Sequence, residues 1–361
     1  MKICIFNSFY PLVKGGAEYQ AKIIAGQLKL KYDVFFISYH HDEDKLINID
    51  GYKVYCIKQP DQIDRFFLYY LINKKICRIL NEEKVDIIYQ RILNSFTFHL
   101  AKYVNQKKKK LIIHIADNYS LLFPFSFSSL IRRCFFMWIK HYYFRGRIQF
   151  VTQTDFQSEL LQKKGITPAL KIRNMHPMPI KGNATCSLDR IKIVWIGSFR
   201  PVKQLELCLE IAKSNISNIA LDFIIVGRAN GDHYSNRMLT LIQELPNVTY
   251  IGELPNESVN TLLSNSFLLI NTSASEGFSN TFIQAWLYGV PVISLNSDPD
   301  YFLSKYKLGA VAYGNLDTMN TLLLAFIRDN NLYKEYSDRC KSIAQKEFSI
   351  DVNISQLLKI L

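Results

Sequence analysis

The stretch 275–294, SEGFSNTFIQAWLYGVPVIS, sets one acid, Glu276, in a turn of small polar residues and follows it with an apolar run. An ionised carboxylate there can accept hydrogen bonds from sugar hydroxyls. Ser279 or Asn280 can cap a helix over TFIQAWLY that Gly289 ends. The N–H groups of its first turn, at Asn280 and Thr281, suit a phosphate. Gln284, eight residues after Glu276 and one turn inside the helix, offers a neutral amide. The plainer alternative makes Glu276 a carboxylate that merely favours the helix dipole. A second loop, WIGSFRPVKQ, brings together Gly197, Arg200 and Lys203. Two cations in a strand-to-helix loop can neutralise a diphosphate, or they can be solvated surface charges. A third, after Pro11, runs Lys14-Gly15-Gly16-Ala17-Glu18 into a helix, so that Gly16 lets the backbone approach a ligand, or serves only as a turn. His114 lies in LIIHIAD, just before Asp117. At the carboxyl end of a strand it can orient a ligand, although an apolar-flanked histidine is most often a satisfied core or rim residue.

These loops need strands to hold them. KICIFNSF (2–9), VFFISYH (34–40), KVYCI (53–57), VDIIYQR (85–91), KLIIHIAD (110–117) and IQFVTQT (148–154) are short runs rich in Ile, Val and Phe. Helical patterns over 17–30 and 65–83 alternate with them. Residues 176–190 break the rhythm and read as a linker. It restarts over 191–197, 221–227, 248–252, 267–273, 291–295 and 309–313. The expectation is an α/β chain with two Rossmann-like parallel-sheet domains, 1–175 and 191–335, facing across a cleft. A helical segment, 336–361, is expected to pack back toward the first domain.

With 361 residues, 48% of them hydrophobic and 21% charged, the chain has the composition of a soluble two-domain protein. Its start reads as a first strand and not as a signal peptide. The seven Cys are scattered singly, which argues against a disulfide framework and for a reducing, cytoplasmic setting. No metal site is expected, since the seven His and the Cys show no ligand spacing. Neither GxGxxG nor GxxxxGK[ST] occurs. The net charge of +13 is uneven: residues 1–175 hold 28 Lys/Arg against 14 Asp/Glu, and residues 176–361 hold 16 against 17. Such a basic half can meet a phosphorylated substrate or an anionic membrane surface. No nucleic-acid-binding module is recognisable. The segment 125–147, FSFSSLIRRCFFMWIKHYYFRGR, interleaves aromatic and basic residues and suits either a helix on a membrane surface or a buried helix with a wet basic face.

SEGFSNTFIQAWLYGVPVIS resembles the signature of the retaining glycosyltransferases of family 4, the glycosyl transferases group 1, which have the GT-B fold. GGAE, HIADNYSLL, VTQTDFQSELLQKKGI, GSFRPVKQ, VTYIGEL and NSDPDYFLSKYKLGAVAYGN extend the resemblance along nearly the whole chain. It implies a transfer of a sugar from a nucleotide-diphosphate sugar, UDP-sugar favoured, to a hydroxyl of a glycan, a lipid-linked cell-surface polysaccharide intermediate, on the cytoplasmic side of a membrane. It also implies that the nucleotide-sugar is substrate and that no cofactor or metal is used. Glu276 matches the first acid of the family's E-x7-E pattern and would bond the donor sugar. Phe278, Ser279, Asn280 and Thr281 would line sugar and diphosphate through backbone groups, and Arg200 and Lys203 would face the diphosphate. Gly16 would let the first domain close, and Tyr250, Ile251 and Leu254 would cradle the base. His114 would lie near the reacting sugar, with Arg91 and Asp117 on the acceptor side. Two departures stand out: Gln284 replaces the second acid, which usually meets the ribose, and Ser198 stands where many relatives have Arg. A sugar-nucleotide epimerase and an inactive scaffold are the competing readings.

Overall fold

A computed structural model describes residues 1–58, 65–118, 120–122, 127–179, 190–217 and 220–361. The linker stretch 180–189 and residues 125 and 126 of the aromatic segment lie outside them. The chain divides into two compact units, Met1–Met175 with Asp351–Leu361, and His176–Ile350.

In the first unit, β1 (Lys2–Phe6), α1 (Gly16–Lys29), β2 (Asp33–His41), β3 (Lys45–Ile49) and β4 (Tyr52–Lys58) are followed by α2 (Arg65–Glu82) and β5 (Ile87–Gln90). Then come α3 (Thr97–Lys107), β6 (Lys110–His114), α4 (Phe127–Tyr143), β7 (Ile148–Thr152), α5 (Asp155–Lys163) and β8 (Leu170–Lys171). Among the described residues the strands form one sheet in the order β3-β4-β2-β1-β5-β6-β7-β8. Every neighbouring pair is parallel except β3–β4. Strands β1, β5 and β6 are buried along nearly their whole length, as strands covered on both faces must be. The antiparallel β3 was not expected, because KLINI has no buried face and sits at the sheet edge. Asp50 and Gly51 both adopt positive φ, and that two-residue turn sets the hairpin.

The second unit runs β9 (Ile191–Ile196), a 3-10 turn at Pro201–Lys203, α6 (Leu205–Ser214), β10 (Leu221–Val226), α7 (His233–Gln243), β11 (Val248–Tyr250) and α8 (Asn256–Ser264). It continues with β12 (Leu268–Asn271), α9 (Asn280–Leu287), β13 (Val292–Ser294), α10 (Phe302–Tyr306), β14 (Gly309–Val311), α11 (Leu316–Arg328) and α12 (Asn330–Phe348). The strand order is β11-β10-β9-β12-β13-β14, all parallel. That is the doubly wound order, whose switch point lies between β9 and β12. The Gly197–Lys203 loop and the Thr272–Ser279 loop leave these two strands at their carboxyl ends.

The C-terminal segment is shared between the units. Helix α12 belongs to the second, whereas α13 (Ile350–Leu358) falls almost wholly in the first. Lys110 Nζ there donates to the carbonyl of Leu361 at 3.2 Å. In the second unit Phe348 of α12 stacks on Trp286 of α9, with centroids 5.7 Å apart. Gly289 ends α9 at φ 74°, where a Cβ would lie 2.4 Å from the Lys341 side chain. The left-handed cap favours glycine there, and any larger residue would also displace the Lys341 and Ser337 side chains of α12.

Candidate functional site

Glu276 and Lys203 meet at the switch point of the second sheet. Lys203 Nζ lies 2.6 Å from Glu276 Oε1, with the side chains 25% and 11% exposed. The same oxygen accepts from Ser273 Oγ at 2.6 Å and Asn271 Nδ2 at 3.2 Å. Trp195 Nε1 donates to Thr272 Oγ1, which donates in turn to the Lys203 carbonyl, and Ala274 N donates to the Val202 carbonyl. Both loops are thereby laced together, so the pair is held by backbone and not only by two long side chains. A charge-assisted contact this short, partly screened from water, is stronger than a surface ion pair. Ser273 and Asn271 were not singled out from the sequence. Their signal was present in NTSASE, short polar residues directly ahead of the acid.

Arg200 is exposed and makes no ion pair among the described residues. Gly197 and Gly227 close the ends of β9 and β10: a Cβ on Gly227 would fall 1.7 Å from the Gly197 carbonyl oxygen. Tyr250 lies against this floor, its hydroxyl donating to the Gly227 carbonyl at 2.9 Å and its ring tilted 47° to that of Phe199 at 5.2 Å. Beyond it Ile251 is exposed, and Leu254 is half-buried against the core.

Helix α9 begins at Asn280 with Ser279 as an extended N-cap whose side chain makes no capping bond. Ser279 Oγ instead bonds Thr281 Oγ1 at 2.9 Å. No side-chain cap therefore fills the first turn, which is the arrangement that receives an anion. Asn280 Oδ1 accepts from His176 Nε2 at 3.1 Å, and His176 N donates to the Phe348 carbonyl. Burial outweighs that hydrogen bond and lowers the His176 pKa to about 4, so the ring is neutral and its Nε2 carries the proton. Phe278 has its side chain in the core, 5.2 Å from Phe348 and 5.3 Å from Phe302, which leaves only its backbone for a ligand. Gln284 is 3% exposed and donates to Asn260 Oδ1 of α8 at 2.9 Å, with Asn256 Oδ1 at 3.4 Å. Its NH2 group is thus committed to α8.

The first unit places its polar residues differently. His114 is fully buried, with Nε2 3.0 Å from the Ile172 carbonyl and Nδ1 2.6 Å from the Tyr89 hydroxyl. A carbonyl can only accept, so Nε2 donates and Nδ1 accepts from Tyr89. Burial, then the Arg91 charge, hold this imidazole well below its ordinary pKa. Both ring nitrogens are used, and the ring has the environment of an orienting core histidine, with no face presented to a sugar. Arg91, 1% exposed, donates to Asn174 Oδ1 and has no partner for Nε. Asp117 holds a turn by accepting from Ser120 N at 2.6 Å. Gly16 is exposed at the start of α1. Among the described residues no group of three or more His, Cys, Asp or Glu could hold a metal.

Residues 190–323 match the family described as glycosyl transferases group 1. Over the full chain the structure is similar to a sucrose-phosphate synthase from Thermosynechococcus elongatus, at 12% identity, 98% coverage of that chain and a TM-score of 0.80. It is also similar to Anabaena HepE in complex with UDP-glucose, at 17% identity, full coverage of both chains and a TM-score of 0.78. A third similar structure is the pneumococcal O-GlcNAc transferase GtfA in complex with UDP and GlcNAc, at 11% identity, covering all of this chain and 98% of that one, with a TM-score of 0.71. These likenesses establish the fold.

Proposed function

Taking residues 190–323 as a glycosyl transferases group 1 domain on a GT-B frame, we propose that the protein is a retaining, metal-independent glycosyltransferase. Its donor is a UDP-sugar, hexosyl or N-acetylhexosaminyl, and its acceptor a hydroxyl of a lipid-linked glycan at the cytoplasmic face of a membrane. One observation carries the reading: the Lys203–Glu276 pair, braced by Ser273 and Asn271, beside the uncapped start of α9. Anabaena HepE, which binds UDP-glucose on a similar frame, supports the choice of donor.

Donor binding exchanges partners within that pair. Glu276 turns from Lys203 to the hydroxyls of the sugar, and the freed ammonium, with Arg200 and the first N–H groups of α9, faces the diphosphate. The bond from the anomeric carbon to the phosphate oxygen breaks and its electron pair leaves with UDP. The acceptor hydroxyl forms the new bond on the same face and its proton passes to the departing phosphate oxygen. Fixed cations and N–H groups aimed at that developing charge lower the barrier.

The test is acceptor-dependent release of UDP, with the anomeric configuration of the product read by NMR. Release of UDP only with a glycan acceptor, and a retained configuration, are expected. Interconversion of UDP-sugars with no UDP released would overturn the proposal in favour of an epimerase.

A further inference from the structure

The run IRNMHP (172–177) carries a buried histidine, His176, for which the proposed transfer has no direct use. Its residues are held almost one by one. The Ile172 carbonyl accepts from His114 Nε2, and both backbone groups of Met175 are bonded by the Gln20 side-chain amide of α1. Proline at 177 disfavours a helical turn at His176. His176 instead forms an isolated parallel bridge with Ser349, its N–H donating to the Phe348 carbonyl at 3.0 Å. Backbone fixed in this way leaves the ring little choice of direction. The residue is 2% exposed, and Nε2 lies 3.1 Å from Oδ1 of Asn280, the first residue of α9.

An asparagine at a helix start carries an oxygen that can turn back and cap its own helix, accepting from an N–H group two or three residues on. Thr281 N and Phe282 N have no backbone acceptor among the described residues, as is usual in an opening turn. We propose that His176 is a positioning residue for the donor: its Nε2–H draws the Asn280 oxygen away from these N–H groups and so keeps them open to the diphosphate. Ser279 Oγ is diverted in the same sense, onto Thr281 Oγ1. Both oxygens that could close the first turn thus bond side chains instead. The ring is neutral and brings no charge of its own to the phosphates, so it acts on them through Asn280. The inference rests on the transferase reading, in which the start of α9 meets the diphosphate, and names the residue that holds that start ready.

Dissociation constants for UDP and for uridine, which keeps the base and ribose and lacks the phosphates, test it by NMR titration. In His176→Leu the Asn280 oxygen is released to cap α9. UDP affinity should then fall about fivefold, the worth of one such cap, with uridine affinity unchanged. His176→Gln, whose amide nitrogen reaches the place of Nε2, should bind UDP as the unmodified protein does. His176→Asn stays polar but ends short of Asn280, so it should repeat the loss, and it gives the reading where His176→Leu fails to fold. A merely structural role would loosen the site without regard to phosphate. UDP and uridine affinities falling together, or an equal UDP loss in His176→Gln, would therefore overturn the proposal. Unchanged UDP affinity in His176→Leu or His176→Asn would overturn it while leaving the transferase reading in place. No binding of UDP by the unmodified protein would overturn both.

Discussion

Each sheet gathers polar residues at the carboxyl ends of its inner strands, yet the two gatherings have opposite characters. In the first unit Tyr89, Arg91, His114 and Asn174 are all buried, and the hydrogen bonds run from one to the next. In the second, Lys203 and Glu276 stay partly open to solvent and carry opposite charges on two loops. Polar groups buried and bonded mainly to one another fix a fold and offer little to a ligand. A braced but accessible ion pair has capacity to exchange. The same architectural position is thus closed in one unit and open to exchange in the other, as the proposed donor recognition requires.

The comparison breaks most visibly through kinetics. Glu276→Gln should lower acceptor-dependent turnover about 10²- to 10³-fold with Tm little changed, and Lys203→Met should do nearly the same. Because the two act as a unit, the double variant should lose little beyond either single one. His114→Gln supplies the contrast, since it should lower Tm. An equal kinetic loss in His114→Gln at unchanged Tm would place His114 on the reacting side and erase the distinction.

Stability sharpens the first-unit half. Arg91→Ala takes the Arg91 donor from Asn174 Oδ1 and the guanidinium from beside His114 in a buried site, and should cost about 3 kcal/mol in denaturant unfolding. UDP affinity, measured by titration calorimetry on the folded fraction, should not move.

His176 gives a pH test in the second unit. It is neutral when folded, with a pKa near 4 against an ordinary value of about 6.5. Between those values the unfolded chain binds the extra proton, so its stabilising contribution is present above pH 6.5 and is lost as pH falls toward 4. The loss is on the order of 3 kcal/mol, and urea unfolding of His176→Asn should show a flatter pH profile.

The smallest effect belongs to Gln284. In Gln284→Glu the amides of Asn256 and Asn260 can reverse to donate to the new carboxylate. The KM for donor should change about fivefold with kcat nearly constant. A change in kcat alone would separate position 284 from nucleotide binding.

Much of this was legible in the chain itself. The strand rhythm announced both sheets, because parallel strands covered on both faces read as apolar runs. The strands end earlier than those runs, as at Phe6 and His114, where polar residues turn the chain into loops. The edge strand at Lys45–Ile49 has no buried face to betray it, although Asp50-Gly51 marks its hairpin. Gly197, Lys203 and Glu276 fall on the two loops that flank the switch point. What sequence could not show is which way a residue at a strand end points. His114 and Arg91 turn into the core, and Phe278 packs beneath α9. Nor could it show partners brought from elsewhere, as Asn260 is to Gln284 or His176 to Asn280.

The central claim is that Glu276 holds the sugar while the Lys203 loop and the start of α9 hold the diphosphate. Thermal shift with UDP and with UDP-glucose, on the unmodified protein and on Glu276→Gln, tests it most directly. A larger shift with UDP-glucose than with UDP is expected in the unmodified protein, and equal shifts in the variant, with the UDP shift retained. An undiminished advantage for UDP-glucose in Glu276→Gln would contradict it.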